Sequence, residues 1–174
     1  MRDLPGDRLH TAANDVPLGV PPEYGRNGPR AEVVCEGADG WGVVLVEHEC
    51  DGFQTRPCPD CPWRTDAPVG AFPPEVYRHS ARTTYDMATS AFGCHMSGSA
   101  RPKTCAGFLL RGASDNLMVR VSRADYSAVH STVELYADYR QMAIANGVGP
   151  DDPALTPCRG DRPVTYLPHA EADA

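Results

Sequence analysis

The sequence predicts a mixed α+β fold, in which a small β-hairpin region and three or four short helices surround a four-cysteine metal site between irregular termini. Three observations predict it: two β-branched runs separated by a glycine-containing turn, several helix-start signals in the second half, and cysteines in paired spacing. The chain of 174 residues has 17 Pro and 16 Gly with only 7% aromatic residues, which indicates much loop around this core.

We expect one domain with loose ends, because 174 residues fall within the usual size of a single domain. Residues 1–30 contain several prolines and no sustained periodicity, which predicts a disordered or draped arm. The predicted metal-binding domain covers residues 31–150. Residues 151–174, which end in an acidic stretch, are predicted to form an irregular tail.

The apolar content of the chain predicts no membrane association. No run of about eighteen apolar residues occurs, and the segment after Met1 has no apolar core like that of a signal peptide, so we expect a cytoplasmic protein. In that compartment thiols stay reduced, and clustered cysteines indicate metal or redox chemistry before disulfides. Seven cysteines, an odd number, also fit a disulfide framework poorly.

The strand predictions lie in the first third of the chain. Residues 31–36 and 41–47 are short β-branched runs, and the segment between them, Gly37-Ala38-Asp39-Gly40, is suited to a hairpin turn. Residues 53–56 are predicted as a third short strand that leads to the first cysteine pair.

The helix predictions lie in the second half. Pro74 followed by Glu75 has the form of a helix start, because proline loses no needed N–H there and an acid complements the helix dipole. Ser131 and Glu134 match the capping-box pattern. The predicted helices are residues 74–90, 104–111 with Thr104 as its cap and Gly112 after its end, and 131–146, while residues 117–121 are predicted as a strand or a buried connection.

Four cysteines form the strongest functional signal. Cys58 and Cys61 are a C-x2-C pair, which supplies half of a metal site because two thiolates at this spacing bend onto one centre. Cys94 and Cys105 can supply the other half across the loop between them. The predicted metal ligands are therefore Cys58, Cys61, Cys94 and Cys105.

The residue after the cysteine pair bears on the identity of the metal. In zinc knuckles this residue is usually glycine, because the turn needs positive φ and N–H groups aimed at sulfur, whereas Pro62 has a fixed negative φ and no N–H. Cysteine followed by proline does occur in bacterial ferredoxin-type motifs. We therefore predict a [4Fe-4S] cluster, with Zn²⁺ as the alternative cofactor and a metal-free dithiol as the third interpretation.

His95 is the alternative metal ligand, since a zinc site with His95 in place of Cys94 uses the same segment. Adjacent residues seldom point to one metal, so His95 otherwise supports the centre or lies at the surface. An aromatic side chain can keep water off such a centre and cations can offset its negative charge, although ordinary core packing and solvated charges are the plainer explanations. The residues concerned are Trp63, Arg64, Arg101 and Lys103.

Three motifs resemble those of an uncharacterised family of small cysteine-rich proteins from actinobacteria and their phages. They are CPDCPWR at residues 58–64, FGCHMS at 92–97 and CAGFL at 105–109. The resemblance covers roughly residues 56–120 and implies that the four cysteines and His95 form one functional set, without implying an activity. The chain is also loosely similar to the WhiB-like iron-sulfur regulators, although its cysteine pair comes first and it has neither their Gly-Trp-containing turn nor their basic tail.

The sequence predicts an iron-sulfur cluster-binding protein that acts as a redox-responsive regulator or binds a partner. A zinc-stapled interaction module and a metalloenzyme with an open coordination site are the alternatives. Between residues 56 and 123 basic residues outnumber acidic ones by nine to five, which predicts a protein or nucleic-acid partner at this middle segment. The net charge of -7 argues against binding nucleic acid with the whole surface. No phosphate loop, Ser-His-Asp set or HExxH helix indicates a reaction class.

Overall fold

A computed structural model describes residues 30–36, 42–47, 52–97 and 101–160, the first two ranges as backbone strands. Residues 1–29 of the predicted arm and residues 161–174 of the predicted tail lie outside the described residues. Helix and strand are mixed, as the predicted α+β class requires. No helix in the described part of the chain is long and apolar enough to cross a membrane.

A three-stranded antiparallel sheet contains the predicted hairpin. Strand β1 (Arg30–Glu36) pairs with β2 (Gly42–Glu47), and β2 pairs with β3 (Ser90–Phe92), so the order is β1-β2-β3. The pairing of Val33 with Val44 confirms that the two β-branched runs face each other. The prediction of a third strand at residues 53–56 is wrong, because the only β-bridge in that segment is an isolated one between Phe53 and Thr104.

The described residues also contain four short α-helices, which agrees with the predicted number. They are α1 (Pro74–Ser80), α2 (Ala106–Arg111), α3 (Leu117–Val121) and α4 (Tyr139–Ala145), and single 3₁₀ turns occur at Ala81–Thr84, His95–Ser97 and Pro153–Leu155. The helix start predicted at Pro74 and the helix ends predicted before Gly112 and Gly147 are close to the observed ones. The other predicted helix boundaries differ from the structure.

The first predicted helix, residues 74–90, ends ten residues early. The hydroxyls of Thr83 and Thr84 bond back to the carbonyls of Ser80 and Ala81, which favours a 3₁₀ turn over a continued α-helix. Met87 then adopts a left-handed backbone with φ 61°, and the last predicted helical residue, Ser90, begins strand β3.

The other boundary errors have local causes. Residues 117–121 form a helix and not a strand, because the side chain of Asn116 accepts a hydrogen bond from the Val119 N–H and so caps a helix there. The predicted helix 131–146 begins at Tyr139, where Asp138 caps it, whereas the hydroxyl of Ser131 is used in a turn. Helix α2 has Cys105, not Thr104, at its N-cap position.

Trp63 lies at the centre of the core and is completely buried. Its ring makes edge contacts with Phe92 and Tyr139, at centroid distances of 5.9 and 5.7 Å. Two glycines let the indole lie directly against α2. A Cβ atom at Gly107 would be 2.6 Å from the Trp63 Cβ, and one at Gly112 would be 2.5 Å from its Cη2. The position of the cysteine pair is therefore tied to the packing of its neighbouring tryptophan.

The packed region continues past residue 150, where the predicted domain ends. Leu155 is completely buried, and Arg140 donates hydrogen bonds to the carbonyls of Pro150 and Leu155. Arg78 of α1 forms an ion pair with Asp152 at 2.8 Å. These contacts fasten residues 150–160 to the rest of the fold.

Candidate functional site

Cys58 and Cys61 lie in one turn directly before the central tryptophan. The N–H of Cys61 donates to the carbonyl of Cys58 at 3.1 Å, and the N–H of Arg64 donates to the carbonyl of Cys61 at 3.0 Å. Pro62 fits between them because neither hydrogen bond needs an N–H from that residue. The turn therefore forms locally, from the spacing of the pair.

Cys94 follows β3, and Cys105 precedes α2. Backbone hydrogen bonds join these two segments: the N–H of Cys94 donates to the carbonyl of Lys103 at 2.7 Å, and the N–H of Cys105 donates to the carbonyl of Phe92 at 2.9 Å. The end of the sheet and the start of a helix are thus held side by side. This pairing sets the second pair of cysteines on neighbouring backbone.

The four cysteines lie in a chain of thiol contacts, and their role as metal ligands stays a prediction. The Sγ atoms of Cys61 and Cys105 are 3.7 Å apart, and the thiol of Cys58 is hydrogen-bonded to both Cys61 and Cys94. None of them is in a disulfide. Within residues 52–97 and 101–160, however, no group of three or more His, Cys, Asp or Glu side chains is arranged to hold a metal ion. A shared centre therefore requires the thiol side chains to rotate.

Mutual hydrogen bonding keeps these thiols protonated. The hydrogen bond to Cys61, with burial, raises the pKa of Cys58 to about 12. The hydrogen bond to Cys105 raises the pKa of Cys61 above its usual range, and the hydrogen bond to Cys58 does the same for the pKa of Cys94, with burial again contributing. At neutral pH these three are thiols, so a metal ion must displace their protons in order to bind.

Backbone N–H groups point at two of the sulfurs. The N–H groups of Met96 and Ser97 lower the pKa of the Cys94 thiol, and the N–H of Trp63 lowers the pKa of the Cys61 thiol. The Ser97 N–H also donates to the carbonyl of Cys94 at 2.9 Å. Such donors favour the thiolate form and are common around metal-bound sulfur. Pro62 removes one donor after the cysteine pair, and Trp63 supplies one a residue later.

The ring of His95 lies beside Cys58. Its Nε2 and Nδ1 atoms are 3.8 and 3.9 Å from the Cys58 Sγ, and its ring packs edge-on against Phe72 at a centroid distance of 5.3 Å. Burial lowers the pKa of His95, so the ring is neutral near pH 7. Its use as an alternative metal ligand stays a prediction. A pocket of about 210 Å³ adjoins it, lined by Asp60, Pro68, Ala71, Phe72, His95 and Met96.

The four predicted supporting residues differ in position. Trp63 is buried in the core, whereas Arg101 and Lys103 are exposed. Arg64 is half-buried and makes two 2.7 Å hydrogen bonds to the carboxylate of Asp66. Asp66, and more weakly the nearby Cys61 and Cys58, raise the pKa of Arg64. Arg64 is thus near enough to the cysteine pair to interact with it electrostatically.

Tyr77 has a buried hydroxyl that the sequence does not single out. Its hydroxyl is one of two buried side-chain polar atoms that lack a hydrogen-bond partner among the described residues; the other is Trp63 Nε1. A tyrosine on the apolar face of α1, where phenylalanine would pack as well, is the signal that could have drawn attention to it.

One comparison with known proteins gives a match. The model described as "Family of unknown function (DUF6283)" matches residues 53–159, a region that contains the four predicted metal ligands and helices α1 to α4. No curated protein and no solved structure matches the chain.

Proposed function

Because the chain belongs to this family of unknown function, from which no activity can be transferred, we propose a function on the geometry of its cysteines. Cys58, Cys61, Cys94 and Cys105 bind one Zn²⁺ ion, which fastens three segments of the fold together. The observation that carries this proposal is the 3.7 Å separation of the Cys61 and Cys105 sulfurs.

The sulfur separation supports zinc over the cluster as the proposed cofactor. Zinc binds thiolates at about 2.3 Å in a tetrahedron, which sets neighbouring sulfurs about 3.8 Å apart. In a [4Fe-4S] cluster each cysteine binds a different iron atom, so the sulfurs stand much farther apart. The distance between Cys61 and Cys105 therefore favours a single ion. The [4Fe-4S] cluster stays a prediction that the same metal measurement tests.

The surroundings of the thiols suit a thiolate site. Four thiolates around Zn²⁺ carry a net charge of about -2, which N–H donors and nearby cations offset. Met96, Ser97 and Trp63 supply such N–H groups, and Arg64 supplies a positive charge. Binding requires rotation of the thiols towards one point and release of their protons, so affinity should rise with pH.

The ion would act as a staple. The cysteine turn, the end of β3 and the start of α2 are distant in sequence, and a metal ion shared by all three would bring its binding free energy to their association. This is the function of a zinc-stabilised interaction module. Chelation should then loosen the contact between the Trp63 turn and α2.

Zinc content of the purified protein tests the proposal. Wild-type protein prepared under reducing conditions should hold one zinc per chain, and Co²⁺ in its place should give the intense visible bands of a tetrahedral thiolate site. Cys61→Ser and Cys105→Ser should lose the metal. Cys158→Ser is the matched control, because this thiol is buried as well but contacts Thr84 and Ala154.

Two results would contradict the proposal. One is wild-type protein that takes up neither Zn²⁺ nor Co²⁺ in reducing buffer, and the other is equal metal content in Cys105→Ser and Cys158→Ser. If the purified protein is brown and contains iron and sulfide, the bound cofactor is the predicted [4Fe-4S] cluster and not zinc.

The proposal extends to location and partners. A site of reduced cysteines outside any disulfide is suited to the reducing cytoplasm, so we propose that the chain acts there. The resemblance to cysteine-rich actinobacterial and phage proteins, and the looser one to WhiB-like regulators, supports a regulatory or partner-binding role. Arg111, Arg120 and Arg123 are exposed on and after α2 and α3 and are the cations that we propose to meet the partner.

A further inference from the structure

An open pocket lies beside the cysteine turn, between three segments of the fold. It has a volume of about 210 Å³. The cysteine turn, the loop before α1 and the 3₁₀ turn after Cys94 supply its lining residues, which are Asp60, Pro68, Ala71, Phe72, His95 and Met96. Pockets that enclose a cofactor or a drug-sized ligand measure about 300–1,000 Å³. The volume of this pocket therefore suits one side chain of a partner and not a cofactor.

Exposed apolar side chains border the pocket. Val69 is 63% exposed and Met96 is 62% exposed, and Pro68 and Ala71 are exposed as well. Apolar surface that adjoins a pocket is typical of an interaction site, because a partner that covers it removes it from water. The pocket thus lies in a surface suited to another protein.

Hydrogen bonds fix the loop that forms one wall of the pocket. The N–H of Thr65 donates to the carbonyl of Glu134 at 3.2 Å, and the N–H of Gly70 donates to the side-chain oxygen of Asn146 at 3.0 Å. A wall held in this way is formed before a partner arrives. Binding there costs little ordering entropy.

Asp60 gives the pocket a negative charge. Its side chain is exposed and forms no ion pair within residues 52–97 and 101–160, whereas the carboxylate of Asp66 is already paired with Arg64 at 2.7 Å. Beside this carboxylate the lining is apolar, apart from the imidazole of His95. Apolar walls with one carboxylate are complementary to a long basic side chain, whose alkyl part is apolar and whose end is cationic.

We propose that this pocket binds an arginine side chain of a partner protein. The alkyl part of the arginine packs against Pro68, Phe72 and Met96, and its guanidinium pairs with the carboxylate of Asp60. Arginine suits the pocket better than lysine, because a guanidinium is weakly hydrated and stacks on aromatic rings. Apolar residues next to the arginine cover the exposed Val69. The inference does not depend on the proposed metal centre.

A short peptide tests the proposal on the full chain. The probe is acetyl-Leu-Arg-Leu-amide, and binding is followed by NMR of the methionine methyl groups. The Met96 methyl should shift as peptide is added, whereas the Met87 methyl, which is exposed but does not line the pocket, should not. A peptide with citrulline in place of arginine keeps the shape and loses the charge. It should bind about fivefold more weakly, the upper end of the effect of a solvent-accessible ion pair.

Asp60→Asn identifies the acceptor of the guanidinium. The variant should bind the arginine peptide about fivefold more weakly and the citrulline peptide as wild type does, because two changes to one contact are not additive. Asp151→Asn is the matched control, since Asp151 is exposed as well but lies outside the pocket, and it should bind both peptides normally. The comparison of the two peptides on wild-type protein needs no variant, so it stays decisive if Asp60→Asn fails to fold.

Several results would overturn the inference. They are an unmoved Met96 methyl at millimolar peptide, equal affinity for the arginine and citrulline peptides, and equal losses in Asp60→Asn and Asp151→Asn. Butylguanidine that binds as tightly as the peptide would assign the pocket to a small cation and not to a protein. A Met96 shift that grows with protein concentration alone would assign it to a second copy of the chain.

The metal measurement is separate from this test. Peptide binding by wild-type protein that takes up no metal would overturn the proposed function and support the pocket. Wild-type protein that holds zinc but fails to bind the arginine peptide would do the reverse.

Discussion

Trp63 packs directly against two glycines of the α2 region, Gly107 and Gly112. The Cβ and Cγ of the indole lie where a side chain at Gly107 would begin, and the far edge of the ring lies where one at Gly112 would begin. Neither the backbone of α2 nor the rigid ring can move far without disturbing the cysteine that precedes each of them in sequence. These glycines are therefore required by a close approach, not by backbone conformation.

We predict that Gly107→Ala destabilises the fold by up to about 2 kcal/mol. Overpacking of a core costs about 1–3 kcal/mol, and the gain in helix propensity of about 1 kcal/mol offsets part of it. Gly149→Ala is the control, since a Cβ there meets nothing within 4 Å, and it should change stability by less than about 0.5 kcal/mol. Urea unfolding of both variants measures the difference. Equal stability of the two would show that the tryptophan can move aside.

Met87 holds a strained backbone at the surface. Its φ of 61° is unfavourable for a residue with a side chain, and the side chain is more than half exposed. We predict that Met87→Gly stabilises the protein by up to about 1 kcal/mol, because relief of about 1–2 kcal/mol exceeds the entropic cost of glycine. Val121→Gly, at an exposed position in α3 without positive φ, should instead destabilise. Thermal unfolding that shows both variants destabilised would contradict this account of Met87.

At the scale of elements, one buried amide organises the contact of α3 with β3 and the 3₁₀ turn after α1. The side-chain N–H₂ of Asn116 donates to the carbonyls of Thr83 and Ser90, both at 2.8 Å, and its oxygen caps α3 through the Val119 N–H at 3.0 Å. One side chain thus forms hydrogen bonds with backbone groups of three separate elements. This is why α3 can exist as a helix of only five residues.

Asn116→Ala should cost about 3 kcal/mol of unfolding free energy. Three backbone groups, two of them buried and one partly buried, lose their partner, and each such loss costs about 1 kcal/mol. The exposed Gln141→Ala serves as the control and should remain within about 0.5 kcal/mol of wild type. Chemical denaturation is the measurement. A loss of less than about 1 kcal/mol would mean that water replaces the amide.

Local chemistry explains which elements can be predicted and which cannot. The hairpin follows from two β-branched runs around a short turn, and the helix ends before Gly112 and Gly147 follow from glycine. Helix α3 was predicted as a strand or connection because the acceptors that hold Asn116 in its capping position come from distant segments. The error for residues 131–146 arose because one hydroxyl can serve a turn as well as a cap.

Local sequence patterns likewise predict one part of the candidate site and miss another. Spacing predicts that Cys58 and Cys61 share a turn, and it suggests Cys94 and Cys105 as their partners. The contact between Cys61 and Cys105 depends on β3 and α2 lying side by side, which no local pattern encodes.

At the scale of the whole molecule, an ion pair between Arg78 and Asp152 holds the segment at residues 150–160 against helix α1. Arg78, and secondly the N–H of Ala154, lower the pKa of Asp152. A carboxyl whose pKa is lower in the folded state stabilises the fold above its unfolded pKa of about 3.9, and that stabilisation is lost as the pH falls through the folded value. Acidification should therefore loosen this segment.

We predict that Asp152→Asn reduces the loss of stability between about pH 5 and pH 2, relative to wild type. Asparagine keeps the bond to the Ala154 N–H and removes only the titrating charge. In an Arg78→Gln background the same substitution should have a smaller effect, since the main cause of the lowered pKa is gone. Urea midpoints across this pH range provide the test. The same acid slope in wild type and Asp152→Asn would exclude Asp152 as a contributor.

Buried thiols lie in separate segments of the fold, so their reactivity can report the local opening of each segment. Cys61, Cys105 and Cys158 sit in the central turn, before α2 and in the closing segment, and an alkylating reagent reaches each one only while its surroundings are open. Labelling kinetics resolved cysteine by cysteine would thus rank these three regions by how often they come apart. A region that opens alone would be labelled ahead of the others, whereas global unfolding would label all three in step.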